Sequence, residues 1–529
     1  MDGTVTRQDA DRPDDLEQRA RAMLEAIIKF CRSREGPFAG FELRLWVRLY
    51  RLGCLLVQLF LAARRERSDL APHLAGGAYR PGDPAAKRQL RTRFGPVTYA
   101  RPYLIRVGGG GPGFHPLDAE LGLTRDGFSP WVIQFTCRLA TRLSFAATRV
   151  VCRAALGRSP STEEIEHWVL GLGRQAQPFA QQQKGPAGDG EVLVIEIDGK
   201  CPPTATAAEL RKRRGKRRPG PGCGGDGKCK CQRHRGRERR KRRGSKKRRR
   251  KGDKSKNGKE VTVVVVYTLK RGADGRLHGP LNKKVWASFG GRRAGADWAR
   301  QEASKRGFKP GTEKTVQVLL DGANGLRENM RSLFPDAILT LDVYHAVEKL
   351  WTLGRRFHAE GSDALKAQVE EWKALLYDGR AAELVGRLRT KLEREPVNGP
   401  GTKGRREALA SAIHYLGRRL ELMRYREWRE RDLVLGSGQV EGAVRHVVGE
   451  RLDCAGMRWI PGRAEALLHL RCIELNGDWN AFIAWGAEQH QKVLDAGGKV
   501  RIRSNEPLKC AKARVRTKKP GKSSQGQAA

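Results

Sequence analysis

The sequence predicts a multidomain protein of the α plus α/β class. The chain has 529 residues, the length of three or four ordinary domains. Between residues 191 and 345, short apolar runs alternate with helical patterns, which is typical of an α/β domain. Before residue 180 and after residue 345, apolar side chains recur mainly at helical spacing.

The N-terminal third is predicted to be helical, with one hairpin. Residues 1–87 form an N-terminal helical region. Residues 88–180 begin with two strand-like stretches around Gly95 and Pro96, followed by helices, one of them starting with a cap near Ser161. A helix, a turn and a second helix suit a DNA-reading helix-turn-helix, and an ordinary helical hairpin fits the same pattern.

The α/β segment has a defined order of elements. Strands are predicted at 191–198, 260–269, 283–289, 315–321 and 337–342, with helices at 294–306 and 323–333. Three strands, a helix, a strand, a helix and a strand is the order of an RNase H-like fold, so residues 190–345 are predicted to be an RNase H-like core. It is followed by a helical insertion (346–435), C-terminal helices of the core (436–490) and a basic tail (491–529) that we expect to be disordered.

The charge of the chain points to nucleic acid. The formal net charge is +46, and an imbalance of this size is the electrostatic footprint of a polyanion-binding protein. Much of it lies in an insertion, 203–259, which has almost no large apolar side chains and is expected to be disordered when unbound. Predicted DNA-binding residues in this insertion are Arg211, Lys212, Arg213, Arg248, Arg249 and Arg250.

Neither a membrane span nor a signal peptide is predicted. No apolar run reaches the roughly 18 residues that a membrane helix needs, and 55–63 is interpreted as a buried helix. Met1 to Arg12 is polar, and the 11 cysteines are scattered, which favours a reducing cytoplasm.

Three carboxylates are the candidate catalytic residues. Asp198 and Asp321 each end an apolar strand-like run, and Glu441 opens a helical pattern after Ser437. Buried strand-end acids are costly unless they are paired or bind a metal. Two aspartates and a glutamate that converge on divalent cations, Mg²⁺ or Mn²⁺, can carry out phosphodiester chemistry.

Each of these acids also has a structural interpretation. Asp-Gly after a strand is a common turn, which applies to both Asp198 and Asp321. Glu441 can interact with the dipole of its own helix or pair with Arg445.

Asp342 and His345 are accessory candidates. Asp342 ends the strand 337–342 and is either a third carboxylate or a helix cap. His345 either contacts substrate phosphate or is a satisfied structural group.

One cluster has the composition of a metal site. Cys223, Cys229, Cys231 and His234 are weak zinc candidates, because their spacing departs from the usual Cys-x2-4-Cys pairs. The alternative is a basic loop with incidental cysteines.

Several segments resemble bacterial insertion-sequence transposases with an Asp-Asp-Glu site, of the Kra type, which are distantly similar to the Mutator-like group. The most specific are Leu320-Asp321-Gly322-Ala323-Asn324-Gly325, Leu341-Asp342-Val343-Tyr344-His345 and Ser437-Gly438-Gln439-Val440-Glu441-Gly442; the others are 194–199, 333–335, 114–123, 451–459, 470–471 and Trp479. The resemblance spans most of residues 90–485. It implies that Asp198, Asp321 and Glu441 are the first, second and third acids, and that 346–435 is the insertion such enzymes carry before the last acid.

The sequence therefore leads to the hypothesis of a metal-dependent DNA transposase that cuts and joins strands. We expect DNA as the partner, an oligomer of the chain on DNA, and a nucleoid-associated location in the bacterial cytoplasm. Two alternatives remain: a non-catalytic nucleic-acid binder, and an RNase H-like nuclease without strand transfer.

Overall fold

The computed structural model describes residues 12–32, 37–108, 113–123, 126–157, 159–214, 258–309, 311–322, 325–454 and 456–495, without the side chains of 211–214 and 494–495. The described residues fall into two compact units. The first contains the chain up to Phe179 and from Gly477 onward, and the second contains Ala180–Asn476. Helices predominate, and the second unit contains a five-stranded mixed sheet, so the predicted mixture of α and α/β structure is confirmed.

The first unit begins with an antiparallel pair of helices, α1 (Pro13–Cys31) and α2 (Phe38–Glu66). Leu16 near the start of α1 packs with Leu55, and Phe30 near its end stacks on Phe41. By length and composition α2 could cross a membrane, although one such helix is weak evidence. The interpretation of 55–63 as a buried helix is wrong in part: Leu55 and Leu61 are buried, but the opposite flank of the helix is exposed.

Strands and short helices follow: α3 (Ala71–Leu74), β1 (Tyr79–Pro81), β2 (Ala86–Thr92), β3 (Gly95–Arg101), β4 (Leu104–Arg106) and α4 (Pro116–Glu120). The predicted hairpin is confirmed as β2–β3, closed where Thr92 pairs with Gly95, while β1 pairs with β4. Asp118 of α4 is buried and bonded by Tyr99, Arg88 and Arg101, which fixes α4 on the hairpin.

Three helices complete this part of the first unit: α5 (Pro130–Arg142), α6 (Phe145–Leu156) and α7 (Thr162–Gly173). The predicted cap at Ser161 is confirmed as a capping box with Glu164. Because the first turn of α7 is acidic, with Glu163 and Glu164, that end of the helix is poorly suited to approach phosphates. The sequence interpretation of a helix-turn-helix remains a prediction.

The second unit starts with α8 (Ala176–Gln182), which spans the boundary, and contains the sheet. Its elements are β5 (Val192–Lys200), α9 (Ala207–Arg214), β6 (Val261–Arg271), β7 (Leu277–Ser288), α10 (Arg292–Lys305), β8 (Thr315–Leu320), α11 (Leu326–Leu333) and β9 (Ile338–Leu341). The strand order is β7-β6-β5-β8-β9, antiparallel from β7 to β5 and parallel from β5 to β9. β5 and most of β6 are buried, as their continuous apolar runs predict.

Two boundaries in this unit differ from the prediction. β7 starts at Leu277 instead of 283, because its first half is an exposed polar edge that lacks an apolar signal. Most of the insertion 203–259 lies outside the described residues, and its described beginning includes α9.

The segment 346–435, predicted as a helical insertion, is helical. It contains α12 (Val343–Gly354), α13 (Asp363–Tyr377), α14 (Ala381–Arg394), α15 (Thr402–Gly417), a 3-10 turn (Leu420–Leu422) and α16 (Tyr425–Glu430). Next, α17 (Gly438–Val444) passes through a π-helical turn (Arg445–Gly449) into α18 (Glu450–Leu452), and α19 (Pro461–Leu475) follows. Glu465 of α19 accepts hydrogen bonds from Ser288 and from the Phe289 N–H, which ties α19 to the end of β7.

The last described helix, α20 (Trp479–Asp495), returns to the first unit. Phe482 packs on Phe179, and His490 contacts the carbonyl oxygen of Ala119. The sequence predicts residues 436–490 as one set of core helices. The structure places α20 apart from α17–α19, because its aromatic residues complete the core of the first unit. The tail after residue 495 lies outside the described residues.

Candidate active site

Asp198 and Asp321 lie next to each other on neighbouring parallel strands. Ile197 of β5 is paired with Leu320 of β8, and each aspartate is the next residue along its strand. In an α/β domain, the ligand-binding or catalytic site usually lies at the carboxyl edge of the parallel strands, where these two polar residues are found.

The two Asp-Gly pairs differ in backbone structure. Asp198 and Gly199 remain in β5, paired with Val263 and Thr262 of β6, so the turn interpretation is wrong for Asp198. Gly322 has φ = +78°, so the chain does turn after Asp321. A Cβ at Gly322 would lie 2.6 Å from the hydroxyl of Tyr415, whose Oη also donates to the Asp321 carbonyl oxygen. The helical insertion therefore holds this turn in place.

Burial raises the pKa of Asp198, and the charge of Asp321 raises it further. The N–H of Gly199 donates to Asp198 Oδ1 at 2.6 Å and partly offsets the effect. A half-buried carboxylate beside a second carboxylate is under pressure to acquire a proton or a cation.

Arg292, at the start of α10, places a positively charged side chain at this edge of the sheet. Its guanidinium lies 3.0 Å from Asp321 Oδ2 and 3.1 Å from Glu260 Oε1. Sequence analysis did not identify Arg292 or Glu260, because they come from different elements and share no motif with the aspartates.

Asp342 is a buried helix cap that organises its surroundings. Its carboxylate accepts hydrogen bonds from Tyr344 N–H at 3.1 Å, Ser437 N–H at 3.2 Å and Ser437 Oγ at 2.7 Å, and it contacts His345 Nδ1. Although burial alone would raise the pKa of Asp342, these hydrogen bonds lower it. The sequence left Asp342 as a third carboxylate or a cap, and the contacts favour the cap.

The charges of the two aspartates act on His345. Its hydrogen bond to Asp342 raises the pKa of His345, and the charges of Asp321 and Asp198 raise it further. The contact of Nδ1 with Asp342 orients the ring of His345.

Glu441 is exposed on α17, which packs against β5 and β6. The preceding residue, Val440, donates its N–H to Glu196 Oε2 at 2.8 Å. Glu196 is fully buried in β5, two residues before Asp198 and therefore on the same face of the sheet. The helix of Glu441 thus packs on the Asp198 face of the sheet, and no described contact joins Glu441 to either aspartate.

Glu196 was also missed as a site residue. The sequence does contain a signal for Glu196, because an acid in the middle of an apolar strand must have a partner. Its partners, the hydroxyl of Tyr267 and the N–H of Val440, come from β6 and α17 and could not be read from one strand.

The carboxylate oxygens of Asp198 and Asp321 are the type of ligand that a hard cation such as Mg²⁺ prefers. Within the described part of the chain, no three His, Cys, Asp or Glu side chains are arranged to hold a metal ion. Mg²⁺ is commonly bound through one or two carboxylates plus water and substrate phosphates, so two adjacent aspartates are a suitable donor set.

The remaining candidates all lie in the basic insertion, 203–259. Cys223, Cys229, Cys231, His234, Arg248, Arg249 and Arg250 lie outside the described residues, and only the backbone of Arg211, Lys212 and Arg213 is described, in α9. Comparison with protein-family models and with curated proteins gave no match to this chain.

Proposed function

We propose that the protein is a DNA transposase of the Asp-Asp-Glu type that cleaves and joins DNA strands with a divalent cation. The observation that carries the proposal is the adjacency of Asp198 and Asp321 on parallel strands, on the sheet face against which α17, the helix of Glu441, packs. The strand order β7-β6-β5-β8-β9, with β6 antiparallel to both neighbours, is the order expected of an RNase H-like fold and supports it.

In this proposal Asp198 and Asp321 hold the cations, and Glu441 completes the set when DNA is bound. Mg²⁺ or Mn²⁺ would activate water or a DNA 3′-hydroxyl and stabilise the leaving 3′-oxygen. Arg292 pairs with Asp321 and orients its carboxylate before the cation enters. His345, held by Asp342, donates a hydrogen bond to a phosphate oxygen of the bound strand.

The charge of the chain supports DNA as the substrate. With a net charge of +46, the protein gains affinity by releasing counterions from phosphates, without reading sequence. Because the reaction pairs two element ends, the active species is an oligomer on DNA.

The test is strand cleavage and joining on a DNA that carries the segments flanking the gene, with Mg²⁺. We expect Asp198→Asn, Asp321→Asn and Glu441→Gln each to lower the rate at least ~1000-fold while DNA binding is retained. Asp336→Asn removes an exposed aspartate two residues before β9 and serves as the matched control.

The same assay separates the alternatives. A nuclease would cleave but leave the ends unjoined. A non-catalytic binder would bind and never cut, and the three variants would then behave like the wild type.

A further inference from the structure

The α1–α2 pair carries an apolar face that the described residues leave uncovered. Nine large apolar side chains of the pair have 43–74% of their surface exposed. Leu43 and Val47 lie on another side of α2, and the other seven form the face: Leu24, Ile28, Phe38, Trp46, Leu49, Leu56 and Phe60. Single exposed apolar residues are ordinary, but a contiguous set of this size marks an interaction surface.

The seven side chains share one side of the helix pair. At 100° per residue, Phe38, Trp46, Leu49, Leu56 and Phe60 form a stripe along α2. One flank of this stripe packs on α1 through Leu52, Leu55 and Leu59, and the other packs toward β3 through Cys54, Val57 and Leu61. On α1, Leu24 and Ile28 lie one turn apart on the side that continues the stripe.

The face is apolar in the middle and charged at its ends. On the stripe, no charged residue lies between Trp46 and Phe60, whereas Glu42 precedes this segment and Arg67 follows it. Both side chains are exposed, and 25 residues of helix separate them by roughly 37 Å.

This charge pattern is self-complementary. If two α2 helices meet in antiparallel orientation about their midpoints, Glu42 of each lies beside Arg67 of the other. A two-fold interface requires this kind of match, in which one patch complements itself.

The exposed apolar area of α1 and α2 is also large enough for a dimer interface. Seven large side chains, each with about half of its surface in water, expose on the order of several hundred Å². A standard protein interface buries about 800 Å² on each partner, which α1 and α2 together approach.

A membrane does not suit the same face. Two flanks of α2 are already covered by protein, and Arg44 and Arg51 are exposed on a third. A spanning helix would bring these arginines into the bilayer, where charged side chains are costly.

We propose that the chain forms a homodimer through the exposed face of α1 and α2, with the two α2 helices antiparallel. The dimer forms without DNA and does not depend on the proposed enzymatic function.

The experiment is sedimentation velocity on the full-length protein in 1 M NaCl, so that nucleic acid does not bridge the copies. We expect a dimer for the wild type, and at least ~100-fold weaker dimerisation for Leu49→Glu/Leu56→Glu, which places charges in an apolar contact. Val47→Glu is the matched control: Val47 is 43% exposed on α2 but points about 160° away from Leu49.

Three results would overturn the proposal: a monomeric wild type, a double variant that dimerises like the wild type, or a Val47→Glu variant that is equally impaired. Circular dichroism of each variant establishes that the helices are intact. Flotation of the wild type with phosphatidylcholine vesicles, lost in the double variant and without a dimer in solution, would assign the face to membranes instead.

The antiparallel orientation has its own test. Glu42→Arg and Arg67→Glu each place like charges together and should weaken dimerisation up to about fivefold, and the combined exchange should restore it. Because salt screens exposed charges, this comparison is made at 0.15 M NaCl after removal of nucleic acid. Additive losses in the combined variant would rule out the orientation while leaving the face itself supported.

Discussion

The carboxylate of Glu196 connects β5, the strand of Asp198, to α17, the helix of Glu441. Its Oε2 accepts the N–H of Val440 at 2.8 Å, and its Oε1 accepts the hydroxyl of Tyr267 at 2.7 Å. Because Glu196 lies two residues before Asp198 and Val440 immediately precedes Glu441, this one side chain fixes α17 relative to β5.

We therefore predict that Glu196→Ala destabilises the protein by about 3 kcal/mol, since it leaves a buried hydroxyl and a buried N–H without an acceptor. Strand cleavage should fall with it. Glu196→Gln should restore both, because the amide oxygen can accept from Val440 and the amide N–H can donate to Tyr267. Equal losses in both variants would mean that Glu196 does not act through these hydrogen bonds.

Glu196 should also make the free energy of unfolding depend on pH. Burial raises the pKa of Glu196 to about 7, so the folded state favours the neutral acid. Stability from a raised pKa is complete below the unfolded value near 4.5 and is lost as the pH rises through 7. Relative to Glu196→Gln, the wild type should lose roughly 3 kcal/mol of unfolding free energy between pH 4.5 and 7.5. Urea titrations of both proteins at several pH values measure this, and parallel profiles would contradict it.

Much of the second unit could be predicted because its signals are local. Continuous apolar runs identified β5, β6 and β8, and Asp198 and Asp321 were chosen as candidates from their positions at or near strand ends. The polar edge of β7 and the roles of Glu196 and Arg292 could not be predicted, since each depends on a partner far away in the chain. For Asp342 the capping contact with Tyr344 N–H is local and was one of the two alternatives, whereas Ser437, which also donates to its carboxylate, lies 95 residues further on.

Metal binding should appear in stability as well as in activity. The pKa of Asp198 is raised by burial and by Asp321, so replacing its charge relieves repulsion. We predict that Asp198→Asn stabilises the metal-free protein by about 1 kcal/mol at pH 7.5. In 10 mM Mg²⁺ the wild type should gain about 1 kcal/mol, and Asp198→Asn should gain nothing. Thermal unfolding with and without Mg²⁺ tests both statements, with Asp297→Asn as an exposed control; an equal Mg²⁺ effect in Asp198→Asn would remove this residue from the metal site.

Arg292 should compete with the cation. It pairs with both Asp321 and Glu260 and is only about a quarter exposed. Arg292→Gln should cost about 1–2 kcal/mol in the absence of metal, because two carboxylates lose their partner. The variant should also bind Mg²⁺ several-fold more tightly, measured as the concentration dependence of the melting temperature.

Arg293→Gln is the natural control, since the neighbouring Arg293 pairs with Asp297 at the surface. Unchanged Mg²⁺ affinity in Arg292→Gln would show that the ion pair does not occupy the metal position.

Asp342 should behave as a structural cap and not as the third acid. Ser437 donates to its carboxylate through both the backbone N–H and Oγ, and His345 contacts it from the next turn. We expect Asp342→Ala to cost about 3 kcal/mol, Ser437→Ala about 1 kcal/mol, and the double variant less than their sum, because the two changes remove a shared hydrogen bond.

The pH dependence of Asp342 has the opposite sign to that of Glu196. Hydrogen bonds outweigh burial and lower the pKa of Asp342, so its contribution is present above the ordinary carboxyl pKa near 4 and is lost as the pH falls below it. The advantage of the wild type over Asp342→Asn should therefore shrink between pH 5 and pH 3. In Asp342→Asn the stabilisation by Mg²⁺ should persist, since this residue does not hold the cation. If Mg²⁺ no longer stabilises Asp342→Asn while Glu441→Gln responds normally, then Asp342 is the third acid and Glu441 is not.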